Sequence, residues 1–418
     1  MKIGWNLGNT LDATGSSGLN TETSWGNPKT TKAMIDALKN RGFKTVRVPV
    51  TWNNHFGSAP NYTVDQAWMD RVEEVVKYVL DNGMYAILNT HHDEWVTLTA
   101  SSQTGVTDKI SKLWAQIADR FKNYGDYLIF ETLNEPRLKG DPTEWTGGTA
   151  AARTVLNAYN LAIVNTIRAG GGNNALRHIM IPTHAATAIA AAQDALVIPN
   201  NDTRIIISQH TYWPNNFSMD NPGTNTWGSA SDKSACDAEL DRIYKKFPAR
   251  GIPVVIGEWG SIDKSNTAAR ALHAGYYARA VRKRGMTSVW WDNGVVKTGG
   301  FALLDRNACT WCFPEISDSL ISGSQAAVAV MRTSETMEPF SIVKVLSGAV
   351  GYCLPRAATV TLGVFDMRGK NVVHTVVQNQ SAGYYTVQIP ADRFPSGKYI
   401  FKMQTENGSV IKPVFLTK

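Results

Sequence analysis

The sequence predicts an α/β chain: a (β/α)8 barrel followed by a small all-β, sandwich-like C-terminal domain. Three observations carry the prediction. Eight short apolar runs recur, and stretches of helical period lie between most of them. All 13 tryptophans fall between Trp5 and Trp311, so the tail beyond has none. That tail changes to short alternating runs punctuated by glycine, the pattern of half-buried strands.

The apolar runs are Ile3–Asn9, Lys44–Val50, Met84–His92, Tyr127–Glu135, Leu176–His184, Arg204–Tyr212, Pro253–Gly260 and Thr287–Asn293. Each is almost continuously apolar and ends in polar or aromatic residues, as expected of parallel strands buried on both faces. Predicted helices between them include Asp65–Asp81, with Val72, Val75, Val76, Val79 and Leu80 on one side, then Asp108–Lys122, Ala151–Ala169 and Asn266–Arg284. Gly42, Gly83, Gly125, Gly170 and Gly285 sit where a helix hands over to a strand. Eight such units before residue 322 fit a barrel in number and length. A doubly wound open sheet fits less well, because it would gather functional residues at one switch point and not at every strand end. The tail runs are Thr359–Phe365, Asn371–Val377, Tyr384–Ile389, Lys398–Gln404 and Val410–Leu416. The expected domains are therefore 1–322 for the barrel, 323–339 for a linker and 340–418 for the β-rich module.

Composition removes several classes of function. With 43% hydrophobic and 18% charged residues the chain can bury a large core, and no apolar run is long enough for a transmembrane helix. The net charge of +7 raises nucleic acid as a partner, but its distribution argues against one. Residues 323–418 hold ten Lys and Arg against five Asp and Glu, so most of the surplus lies on the tail. Cys309-Thr-Trp-Cys312 has the spacing of half a zinc site without a second pair, and is read as a loop staple or two buried thiols.

The carboxyl ends of barrel strands carry catalysis. In order they offer Asn6 and Asn9, Arg47, His91 and His92, Asn134 and Glu135, His184, His210 and Tyr212, Glu258 and Trp259, and Trp291 and Asp292. Two strands supply a glutamate, Glu135 and Glu258. A pair of carboxyls facing each other suits acetal cleavage, in which one protonates the leaving oxygen and the other attacks or stabilises the sugar carbon. A lone glutamate at a strand end is more often a helix cap or ion-pair partner. That reading weakens when every strand end is polar or aromatic, since burying such groups is costly.

His91 and His92 are adjacent, and neighbours on a strand point to opposite faces, so no shared metal is expected. No Gly-x-Ser-x-Gly elbow is present, and the glycine runs at 147–148 and 170–172 lack a following Lys-Ser/Thr. No cofactor is expected either. Trp5, Trp68, Trp114 and Trp290 read as core. Trp25, Trp52, Trp95, Trp145, Trp213, Trp227, Trp259 and Trp291 fall in loops or at strand ends, where aromatic planes can take the apolar faces of sugars.

These residues resemble glycoside hydrolase family 5. The resemblance rests on Gly4-Trp-Asn-Leu-Gly-Asn-Thr-Leu-Asp-Ala13, Val46-Arg-Val-Pro-Val50, Leu88-Asn-Thr-His-His-Asp93 and Phe130-Glu-Thr-Leu-Asn-Glu-Pro136. It continues through Gln209-His-Thr-Tyr212, Ile256-Gly-Glu-Trp-Gly260 and Trp290-Trp-Asp-Asn-Gly294. The pattern is most similar to the endo-β-1,4-glucanase (cellulase) branch, which also holds xyloglucanases and lichenases. The resemblance implies a retaining double displacement without metal or organic cofactor. Glu135 would be the acid/base, with Asn134 beside it on the sugar 2-hydroxyl. Glu258 would be the nucleophile, held ionised by Arg47 and oriented by Tyr212. His91 and His210 would line the cleavage subsite over Trp291, while Asn9, Asp12, Trp25 and His92 would contact the glycone side. Mannanase and xyloglucanase are alternative activities, and a glycan-binding barrel without catalysis is the alternative of another class.

The tail resembles the C-terminal sorting domain of the bacterial type IX secretion system, on Val364-Phe-Asp-Met-Arg-Gly-Lys370, Ala382-Gly-Tyr384, Phe394-Pro-Ser-Gly-Lys-Tyr399 and the closing Lys412–Lys418. A carbohydrate-binding module is the rival, with Tyr352, Tyr384, Tyr385 and Tyr399 as its aromatics. The chain begins almost on its first strand, without a signal peptide. The expectation is a secreted or cell-surface monomer whose leader has been removed, acting on β-glucan and engaging secretion machinery through the tail.

Overall fold

The structure is a computed structural model and describes residues 1–328, 341–346, 349–354, 358–380, 383–388, 395–405 and 408–416. It divides into two compact units, Met1–Val330 and Met331–Lys418.

In the first unit the eight apolar runs form eight parallel strands: β1 (Ile3–Leu7), β2 (Thr45–Val48), β3 (Tyr85–Asn89), β4 (Leu128–Glu131), β5 (Ile179–Thr187), β6 (Ile205–His210), β7 (Val254–Trp259) and β8 (Thr287–Asp292). They pair in chain order, and β8 closes onto β1 with Asn6 opposite Trp291. Helices α1 (Lys32–Arg41), α2 (Gln66–Asp81), α3 (Gln103–Phe121), α4 (Ala150–Ala169), α5 (Ala190–Ala195), α6 (Asn215–Ser218), α7 (Ala230–Lys246), α8 (Thr267–Lys283) and α9 (Pro314–Ser324) surround or connect them. The predicted α2 buries Trp68, Val72, Val75, Val76 and Val79 on one face, and Asp65 caps it by accepting from the Ala67 N–H. The periodicity that revealed α2 is faint in α7, which buries only Cys236, Leu240 and Ile243; a capping box between Ser229 and Asp232 starts it instead.

The barrel interior is layered. Ile87, Ile129, Met180, Ile206, Val255 and Val289 make an apolar floor. One step along the strands the floor gives way to polar residues: Asn6, Arg47, Asn89, Glu131 and Ser208 are all fully buried. This polar layer supports the mouth. The closing seam of β1 and β8 is tied by Arg306, in the turn between the short strands β9 (Leu304–Asp305) and β10 (Thr310–Trp311). Its guanidinium donates to the Gly8 carbonyl at 2.7 Å and to the Asp292 carbonyl at 2.6 Å.

The second unit is all-β. β11 (Ser341–Leu346), β12 (Ala349–Leu354) and β15 (Gly383–Gln388) form one antiparallel sheet. β14 (Asn371–Gln380), β13 (Ala358–Phe365), β16 (Gly397–Thr405) and β17 (Gly408–Leu416) form another, in that order. Val350, Leu362, Val364, Phe401, Met403 and Val414 are among its core residues. β11 and β12 escaped the sequence reading because Ser341–Leu346 and Ala349–Leu354 carry little polar alternation. Residues 323 and 324 of the expected linker belong to α9, and residues 329–340 lie outside the described residues. So do residues 382, 394, 417 and 418 of the segments that resemble a sorting domain. Among the described residues no helix is long and apolar enough to cross a membrane.

Candidate active site

At the carboxyl ends of the strands, Arg47 is the hub. Its Nη1 donates to Glu258 Oε1 at 2.7 Å and to Asn6 Oδ1 at 3.0 Å. Nη2 donates to Asn134 Oδ1 at 2.7 Å, and Nε to Glu131 Oε2 at 2.7 Å. Because the Asn134 oxygen is taken by Arg47, its amide N–H2 is the group left to face a ligand. Tyr212 donates to the second oxygen of Glu258 at 2.9 Å.

Glu258 reaches the mouth through an irregularity in β7. The β6–β7 register pairs Gln209 with Ile256 and His210 with Glu258, so Gly257 is an extra residue, a bulge. A Cβ there would crowd the site, 3.0 Å from His210 Nε2 and 3.2 Å from Ser208 Oγ. Asn6 donates to the Gly257 carbonyl at 2.9 Å and so fixes the bulge from below.

Glu135, on the loop after β4, meets His210 Nδ1 at 2.8 Å, and the same nitrogen lies 3.7 Å from Glu258 Oε2. One carboxylate oxygen of each glutamate and a His210 nitrogen all lie within 4.8 Å of one another. Burial pushes Glu258 above the ordinary carboxylate range, against the pull of His210 and Arg47. Burial acts the same way on Glu135, but the His210 hydrogen bond and the charges of His210 and Arg137 outweigh it and hold this carboxyl low. His210 in turn is raised, since Glu258 and Glu135 overcome its desolvation. The three groups titrate as one unit.

His91 is kept neutral by burial first, then by His92 and Arg47. Its ring stacks parallel to Trp291 at 5.9 Å. Trp291 lies against Gly8, where a Cβ would fall 2.7 Å from the indole. His92, also lowered by burial, to about 4, is tilted against Trp25 at 5.6 Å. A cavity of about 220 Å³ opens beside Glu135, between the loops after β3 and β4, and those loops are joined by the Glu94–Lys139 ion pair.

The predicted residues Arg47, His91, His92, Asn134, Glu135, His210, Tyr212, Glu258 and Trp291 therefore converge, with Trp25 at the His92 edge. Asn9 lies on the loop after β1 with a left-handed φ of 59°. Asp12 is fully buried and its carboxylate accepts from the Asn9 and Thr10 N–H groups at 2.9 and 2.7 Å, so it shapes the loop after β1. The expectation that His91 and His92 point apart is corrected. β3 ends at Asn89, so His91 and His92 are freed from strand alternation and their rings lie 4.5 Å apart.

Among the described residues two groups of side chains have metal-ligand proximity, Asp12 with His91 and His92, and Glu135 with His210 and Glu258. Both Asp12 oxygens are engaged by backbone N–H groups and both Glu258 oxygens by Arg47 and Tyr212, which suits hydrogen bonding better than coordination. Of the tryptophans assigned to sugar stacking, Trp52, Trp227 and Trp259 are core. Trp259 follows the inward-facing Glu258 and so points to the helices, stacked on Tyr277 at 4.1 Å. Trp25, Trp145 and Trp213 are exposed, by 41%, 54% and 41%. Cys309 and Cys312 are free thiols of intermediate exposure, neither a staple nor buried. Missed by the sequence reading were Glu131, Asn89 and Ser208; the first two stand inside quoted motifs, and their inward direction was the available signal.

A closed parallel barrel that gathers two carboxyls, a guanidinium and aromatic planes at one mouth has the architecture of a sugar-cleaving barrel enzyme. The chain belongs to glycosyl hydrolase family 5, the cellulase family, which it matches over residues 9–296. It is 54% identical over 337 residues to the cellulase/esterase CelE of Acetivibrio thermocellus, covering 80% of this chain but only 41% of that protein. A broad-specificity endoglucanase from Clostridium acetobutylicum matches with a TM-score of 0.75 and 54% identity, covering 77% of this chain and 97% of the other. A broad-specificity endoglucanase from Ruminococcus champanellensis with bound cellotriose matches at 0.75 and 46%, covering 76% and 95%.

Proposed function

We propose that the chain is a secreted, retaining endo-β-1,4-glucanase that cleaves internal bonds of cellulose-type and mixed-linkage glucans. The observation that carries this is the Glu135–Glu258 pair, with carboxylate oxygens within 4.8 Å. Retaining glycosidases hold their carboxyls about 5–5.5 Å apart, whereas inverting ones leave room for a water. The cellotriose-bound relative supports a β-glucan as ligand.

In the first displacement Glu258 Oε2 or Oε1 attacks the anomeric carbon while Glu135 protonates the departing glycosidic oxygen. The C–O bond breaks and a glycosyl ester forms on Glu258. Glu135, now a carboxylate, takes a proton from water, whose oxygen attacks the same carbon and releases Glu258. The proton that Glu135 delivers is available across its 2.8 Å hydrogen bond to His210, because a bound sugar excludes water from Glu135 and favours its neutral form. Asn134 offers its amide N–H2 to the sugar 2-hydroxyl, and Trp291, backed by His91, gives the ring a plane.

Reducing-end release and product analysis on carboxymethylcellulose, mixed-linkage glucan, xyloglucan and glucomannan, side by side, test the substrate. Glu258→Gln is expected to remove nearly all hydrolysis and keep the fold; near-parental turnover would overturn the mechanism. Binding of cello-oligosaccharides without cleavage by the parent chain would favour the non-catalytic alternative. Resemblance of the tail to a type IX sorting domain supports delivery through that system. Removing residues 340–418 should abolish export in a host with that machinery and spare hydrolysis.

A further inference from the structure

Glu131 sits on β4, four residues before Glu135, and touches neither the mouth nor solvent. Its surroundings are completely specified. Oε2 accepts from Arg47 Nε at 2.7 Å and from Asn89 Nδ2 at 2.9 Å, and Oε1 accepts from Ser208 Oγ at 2.6 Å. The same Asn89 amide reaches His91 Nδ1 at 3.1 Å. Three donors, one of them a guanidinium, converge on this carboxylate, which makes its bonds to Arg47 charge-assisted.

Arg47 is thus a buried cation between two carboxylates, Glu131 and Glu258. Only one of them keeps its charge through the reaction described above. When Glu258 becomes an ester, its negative charge is consumed, and a buried guanidinium left without a counterion is costly. Glu131 takes no part in bond making, so its charge persists. It also fixes the plane of the guanidinium: with Nε held by Glu131, Nη1 and Nη2 are directed at Glu258 and Asn134.

We propose that Glu131 is a positioning residue for hydrolysis, the permanent counterion of Arg47 that keeps this cation paired while Glu258 is esterified. The inference rests on Glu258 as nucleophile. It concerns the reacting state more than substrate capture, because Glu131 lies beneath Arg47 and out of reach of a sugar. The charged and titratable groups joined to this network are Arg47, Glu258, Glu135, His91, His210 and Tyr212.

Glu131→Gln tests it, since the amide keeps an oxygen for Arg47 Nε and loses only the charge. The readout is kcat and KM on an aryl cellobioside with a poor leaving group, so that ester formation limits kcat, together with the pH profile of kcat/KM. The expected result is a fall in kcat of tenfold or more, with KM within threefold of the parent. The acidic limb should move to lower pH, because Arg47 then acts on Glu258 alone. Glu131→Asp, which keeps the charge, should recover part of kcat. Parental kcat with an unmoved acidic limb, or a change confined to KM, would overturn the proposal. Should Glu131→Gln not fold, Ser208→Ala removes the hydroxyl donor to Oε1 with little change in volume; a fall in kcat at constant KM supports the role, and parental kinetics sink it. Glu258→Gln is measured in parallel. If that variant is active, the mechanism fails; if it is inactive while Glu131→Gln is parental, only the role of Glu131 fails.

Discussion

Tyr212 donates its hydroxyl to Glu258 Oε2 at 2.9 Å, on the oxygen opposite the one that Arg47 engages. Burial first, and then the Glu258 charge, raise the phenol well above its ordinary range, so it remains a donor throughout the working pH range. A hydrogen bond to a charged group contributes about 1.5–3 kcal/mol. Tyr212→Phe is therefore expected to lower kcat roughly 10- to 100-fold. Losing a donor to the ionised form raises the Glu258 pKa, so the acidic limb of kcat/KM should move to higher pH. Steady-state kinetics across pH check both, and an unmoved limb would contradict the geometry.

Glu135 as proton donor predicts a dependence on the leaving group. Glu135→Gln should lose about 10²–10⁴-fold on a β-glucan, the usual contribution of general acid catalysis. On a dinitrophenyl cellobioside, whose leaving group needs no proton, formation of the glycosyl ester should be nearly unaffected. Pre-steady-state bursts of dinitrophenolate measure that step. Equal losses on both substrates would remove Glu135 from the role.

Gly8 governs the position of Trp291. A Cβ there would lie 2.7 Å from Trp291 Cζ2 and 2.8 Å from the Asp292 carbonyl, so Gly8→Ala must displace the indole. Losing one aromatic stacking partner, about 0.5–1.5 kcal/mol, corresponds to a rise in KM of roughly 3- to 10-fold. Kinetics on cello-oligosaccharides test this, and an unchanged KM would mean that Trp291 does not carry a sugar.

His55 predicts a pH dependence of stability. It is buried, stacked on Trp68 at 3.8 Å, and neither ring nitrogen has a hydrogen-bond partner among the described residues. Burial lowers it from 6.5 to about 4. The unfolded chain then binds a proton that the native state refuses, so the stability present above pH 6.5 is lost as pH falls toward 4. Between pH 7 and pH 4.5 this one ring accounts for about 2 kcal/mol. His55→Phe, which preserves the stack, should reduce the loss by that amount in denaturant titrations at the two pH values. An identical loss in parent and variant would refute it.

Much of the barrel was readable because its strands are continuous apolar runs and its best helices are amphipathic. α7 and the pair β11 and β12 were not, since their patterns are weak and their order comes from capping and from pairing. The strand-end residues were legible by type, but direction was misjudged at two places. Position at a strand end put Trp259 in the sugar-stacking set although alternation beside Glu258 turns it to the helices, and alternation separated His91 from His92, which lie beyond the end of β3.

By itself the sequence determined that two glutamates, Arg47 and the histidines stand at the ends of parallel strands, because apolar runs and their polar ends set which residues a barrel mouth can present. Only the tertiary structure decided how they meet. The Gly257 bulge aims Glu258, Asn6 holds that bulge, and Glu131, Asn89 and Ser208 support Arg47 from below. Those relations link six different strands, and a hydrogen bond between residues 77 or 84 positions apart leaves no local pattern to read.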